Sequence, residues 1–69
     1  MNWDTVKGNW EQIKGDVQQK WGQLTDDEVA EAKGDRDKLV GLIQEKYGAA
    51  KDEAESQVDD FIASVKGNN

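Results

Sequence analysis

The residues that could do chemistry in this chain are its carboxylates. They gather in short clusters, Thr25-Asp26-Asp27-Glu28, Lys51-Asp52-Glu53 and Val58-Asp59-Asp60, among fifteen acidic side chains in all. Paired carboxylates act as general acid and base when one of them is desolvated and its pKa rises. Here the acids outside helix caps fall on helix backs interleaved with lysines, which describes a solvated face. Asp26, Asp27 and Glu28 fit a helix start better than a metal site, and no calcium loop with its central glycine and terminal glutamate occurs. Thr5, Thr25, Ser56 and Ser64 have no histidine to activate them, because the chain has no histidine, and it has no cysteine either. Zinc sites, disulfides and thiolate or imidazole catalysis are thereby excluded. Glycines spaced by seven make no phosphate-cradling loop. The sequence predicts no catalytic, cofactor-binding or metal-ligating residues, no cofactor, and therefore no enzyme.

Charge narrows the partners. Fifteen acids against nine bases give a net charge of −6, and both halves of the chain are acidic. Such a field repels phosphates, so neither nucleic acid nor an anionic lipid surface is expected as a partner. No apolar run approaches the roughly 20 residues of a membrane-spanning helix, and no basic start followed by an apolar stretch marks a signal peptide; the expected location is the cytoplasm. Three tryptophans, Trp3, Trp10 and Trp21, are large enough to fill a small core. Trp3, near the terminus, is the one that could instead stand partly exposed as an anchor for a protein partner.

The elements that must position these residues are helices. Proline is absent and the composition favours Ala, Glu, Gln, Lys and Asp. Trp3, Val6, Trp10, Ile13, Val17, Trp21 and Leu24 recur at steps of three and four, one apolar stripe on a first helix. A second helix starts at the capping box Thr25–Glu28, turns Val29 and Ala32 inward and stops near Gly34. A third runs from an N-cap at Asp35 to Tyr47, burying Leu39, Val40, Ile43 and Tyr47; Leu42 falls off that face and either widens the core contact or is exposed. A fourth carries Ala50, Ala54, Val58, Phe61, Ile62 and Val65. These form a single domain over 1–66, with 67–69 a frayed tail.

Residues 7–22, KGNWEQIKGDVQQKWG, align with 33–48, KGDRDKLVGLIQEKYG, with identity at six of sixteen positions, all three glycines included. The period of 26 reads as a duplicated helix–turn–helix hairpin, with repeats at about 7–32 and 33–58. On this reading Gly22 and Gly48 end helices in the left-handed conformation, and Gly8 and Gly34 precede the N-cap candidates Asn9 and Asp35. Trp3 and Val6 suggest that the first helix extends further back. Gly15 and Gly41 remain inside helices. Either they let two backbones approach closely, or they are weak points that a marginal helix tolerates.

Gly8-Asn9-Trp10, Lys14-Gly15, Trp21-Gly22-x-Leu24-Thr25-Asp26-Asp27, Gly34-x-Arg36-Asp37-x-Leu39-Val40-Gly41, Ile43-Gln44-Glu45-x-Tyr47-Gly48 and Lys51-Asp52-x-Ala54-Glu55 together resemble the CsbD-like family of small bacterial stress proteins, from about residue 2 to residue 62. The resemblance implies a cytoplasmic protein of the general stress response, osmotic and stationary-phase stress included. It also implies an all-α fold, a small four-helix domain of two α-hairpins packed crosswise and similar to the sterile-alpha-motif-like group. It brings no catalytic residues. Three functions then compete: a non-enzymatic hydrophilic protectant or broad weak binder, a specific protein-interaction adaptor, and a nucleic-acid binder, which the charge disfavours.

Overall fold

The computed structural model describes residues 2–66, all of whose regular structure is helical; the expectation for the tail at 67–69 lies outside them. Five helices follow one another: α1 (Trp3–Gly8), α2 (Trp10–Lys20), α3 (Asp26–Ala32), α4 (Arg36–Tyr47) and α5 (Lys51–Lys66). Neighbours in sequence pack together, α1 on α2, α2 on α3, α3 on α4 and α4 on α5.

The first expected helix is divided. Gly8 and Asn9 are both poor helix formers, and at Asn9 the backbone leaves the helical region (φ −111°, ψ 19°). Its N–H is shared between the Thr5 and Val6 carbonyls at 3.1 and 3.2 Å, while its own carbonyl accepts from Gln12 and Ile13. Asn9 thus closes α1 and opens α2 with main-chain groups, and its side chain makes no cap bond. The true side-chain cap lies upstream, where Asn2 accepts from the Thr5 N–H at 2.9 Å. Gly8 is accordingly the last residue of α1 rather than an entry residue.

The other starts fall where the sequence places them. Thr25 accepts from the Glu28 N–H at 3.2 Å and the Glu28 carboxylate accepts from the Thr25 N–H at 2.9 Å, a complete capping box. Asp35 accepts from the Lys38 N–H, and α4 ends at Gly48 in the left-handed conformation (φ 65°), its N–H on the Gln44 carbonyl. Gly22 differs from its repeat counterpart. It is not left-handed, because α2 closes one residue earlier at Trp21 (φ −120°, ψ 82°). That extended step lets the Trp21 ring enter the core.

The buried residues form one apolar cluster: Val6 from α1; Trp10, Ile13 and Val17 from α2; Trp21 and Leu24 from the turn; Val29 and Ala32 from α3; Leu39, Val40 and Ile43 from α4; and Ala54, Val58, Phe61 and Ile62 from α5. No polar or charged residue is buried among the described residues. Trp21 and Phe61 meet edge to face with centroids 5.1 Å apart, a favoured aromatic geometry. Trp3, Leu42 and Val65 lie partly buried against this cluster. Two expected core positions do not join it. Ala50 is exposed just before α5. Tyr47 is 40% exposed, against 3% for Trp21, its counterpart in the repeat; its hydroxyl instead accepts from the Gln23 N–H at 3.0 Å, tying the end of α4 to the α2–α3 turn.

Close backbone approach occurs at neither Gly15 nor Gly41, where an added Cβ would meet nothing within 4 Å. It occurs at Gly34. Lys33 (φ 55°) and Gly34 (φ 79°) turn the chain from α3 into α4 in the left-handed region, and a Cβ on Gly34 would fall 2.8 Å from the Lys7 Cα and 3.1 Å from its nitrogen. The backbone of α1 therefore rests directly on the α3–α4 turn.

Candidate functional site

The acidic clusters of the sequence disperse in the fold. Asp26 and Asp27 stand exposed on the first turn of α3, where they favour the positive end of the helix dipole. Asp59 and Asp60 are exposed on α5. Among the described residues, no three carboxylates converge as metal ligands would.

Three polar links tie the elements of the fold together. The Trp10 indole N–H donates to the Val29 carbonyl at 2.8 Å in a buried bond. Val29 lies in the last turn of α3, whose carbonyls have no partner within the helix, so Trp10 caps α3 from the side. Trp21 donates to the Gln57 side-chain oxygen at 3.0 Å. Arg36 grips the Asp59 carboxylate with two bonds of 3.0 and 3.1 Å and has Glu55 at 3.7 Å. Donating to Asp59 holds its guanidinium pKa above the ordinary value.

A fourth link borders a concavity between α3 and α4. Lys46 Nζ lies 2.8 Å from Glu28. This bond, together with the one from the Thr25 N–H, holds the Glu28 carboxyl below its ordinary pKa, while the same pairing raises Lys46. Beside it runs an open groove of about 440 Å³ between α3 and α4. Glu28, Glu31 and Ala32 line it from α3, and Lys38, Gly41, Leu42 and Glu45 from α4. Its floor is apolar or bare and its rim charged.

A family model described as CsbD-like matches residues 4–56. The chain belongs to the CsbD-like family. Several relatives carry the name UPF0337 protein. One from Rhodopseudomonas palustris is 50% identical over 66 residues, covering 96% of this chain and all of the relative. One from Rhodopirellula baltica is 56% identical over 64 residues (93% and 94%). UPF0337 protein YjbJ of Escherichia coli K12 is 54% identical over 61 residues, 88% of each chain. The CsbD-like match spans Thr25, Gly34 and Gly41, so the capping box, the close contact with α1 and the groove all lie within the family region. Sequence reasoning missed the groove, the Arg36 clasp and the Gly34 contact. The signal for the first was present in Gly41, a mid-helix glycine that helix periodicity left unexplained, whereas Leu42 widens the core contact, one of the two outcomes open to it.

Proposed function

We propose that this CsbD-like chain is a non-enzymatic bacterial stress-response protein that works in the cytoplasm as a hydrophilic protectant, through broad and weak contact with other macromolecules. One observation carries this reading: apolar side chains fill the interior, charged ones cover the outside, and Tyr47 is the only large hydrophobic residue that is exposed among the described residues. Tight, specific partners are usually gripped by clustered aromatic and arginine anchors in desolvated pockets. Here the tryptophan indoles of α2 and its turn, and Arg36, are occupied within the fold. A net charge of −6 keeps such a protein soluble when crowded.

The same reading takes the sequence repeat as a duplicated hairpin in a crosswise, sterile-alpha-motif-like arrangement over 1–66. In its support, Trp10 and Arg36 occupy equivalent places in the repeat, at the first residues of α2 and α4. Each reaches toward the following helix at equivalent points, Val29 and Glu55.

The test is to dry and rehydrate an unrelated enzyme with the protein, and with a variant whose exposed residues are permuted at constant composition. Equal recovery of activity with both is expected. Protection that disappears on permutation would point to a defined binding surface and overturn the proposal.

A further inference from the structure

We propose that the α3–α4 groove is a docking site for a short basic, apolar peptide segment of a partner protein. Three observations converge there. Gly41 sits in the middle of α4, is exposed, and an added Cβ there would meet no side chain or other element within 4 Å beyond its own turn of helix. Packing does not require a glycine at this point, and alanine would stabilise the helix. What the missing side chain does provide is open floor in the groove. Leu42, beside it, packs partly buried against the core and lines the same groove.

The rim supplies the charge preference. Glu28 is taken by Lys46, but Glu31 and Glu45 make no salt bridge among the described residues, and Lys38 is the single cation lining the groove. The surplus is negative within a chain of net charge −6, so the complementary occupant is cationic. Its size follows from the volume. About 440 Å³ admits a few side chains, whereas docked folded domains bury about 800 Å² on each partner. The occupant is therefore a short segment whose apolar side chain or arginine stem lies over Gly41 and Leu42 and whose cationic head meets Glu31 or Glu45. This inference is separate from the protectant reading: protection can fail while the groove still binds, and the reverse.

The experiment titrates a capped six-residue peptide of alternating leucine and arginine into the 15N-labelled protein at low salt. The amide shifts of the wild type are followed alongside those of four folded variants. Shifts centred on Ala32, Gly41 and Leu42 are expected. Gly41→Leu, which fills the floor, and the double reversal Glu31→Lys with Glu45→Lys should each weaken binding about tenfold, the scale of one well-made contact. Gly15→Leu makes the same change on α2 away from the groove and should leave the affinity unchanged. Asp4→Lys with Glu53→Lys alters net charge equally and should weaken it far less than the groove reversal. Shifts spread evenly over the acidic surface, equal losses in both charge reversals, or no binding at all would overturn the proposal.

Discussion

Gly8 and Gly34 occupy the same place in the sequence repeat, yet replacing each by alanine should change stability in opposite directions. At Gly34 two costs combine. The left-handed backbone (φ 79°) is unfavourable for alanine by about 1–2 kcal/mol. The new methyl would also lie 2.8 Å from the Lys7 Cα, an overpacking that typically costs about 1–3 kcal/mol. A domain of this size holds only about 3–5 kcal/mol in total, so Gly34→Ala should remove most of it. Gly8 is helical with open space around it, and Gly8→Ala should add up to about 1 kcal/mol. Thermal unfolding followed by circular dichroism reads both, since each kcal/mol moves the midpoint by about 4–8 °C in so small a domain. Two further variants separate the costs. Gly34→Asn relieves much of the backbone strain but keeps the collision, so it should recover only part of the loss. Adding Lys7→Ala to Gly34→Ala removes the side-chain contact at 3.1 Å but leaves the two backbone contacts, and should not rescue the protein. A stable Gly34→Ala variant, or full rescue by Lys7→Ala, would refute the packing of α1 on the α3–α4 turn.

Other outcomes follow from the same geometry. Thr25→Ala breaks the capping box and should cost about 0.5–2 kcal/mol in urea unfolding. Trp10→Phe leaves the Val29 carbonyl without its buried donor and should cost about 1–3 kcal/mol, with faster amide exchange at the end of α3. The Glu28 pKa is lowered in the fold by Lys46 and Thr25. Its contribution is thus present above the ordinary glutamate pKa and is lost as pH falls through the lowered value. Urea unfolding on acidification should therefore show a smaller loss of stability for Glu28→Gln than for the wild type. Gly15→Ala, at an exposed helical site with open space, should raise the thermal midpoint; a fall would restore a packing role for that glycine.

Local rules made most of the helices legible. The capping box at Thr25, the Asp35 cap, the Gly48 terminus and the three-four spacing of Ile13, Val17, Leu39, Ile43, Val58 and Phe61 depend on residues within a turn or two of one another. The repeat was a poorer guide to backbone conformation, because corresponding residues met different neighbours. Gly34 turns beneath Lys7 whereas Gly8 ends a helix, and Trp21 enters the core whereas Tyr47 stays at the surface. Helix periodicity favoured burying Tyr47 but could not register that its hydroxyl has a partner on the α2–α3 turn. The groove was legible only as an anomaly, a glycine inside α4 that neither packing nor capping requires. The pairing of Arg36 with Asp59, 23 residues away, left no local trace.

The protein's proposed mode of action is tested most directly by affinity capture, under native conditions, from stressed bacterial cells that express it. Broad weak contact predicts many proteins in small amounts, with the set unchanged by any single exposed substitution outside the groove. One partner retained in stoichiometric amount, and lost on such a substitution, would contradict it.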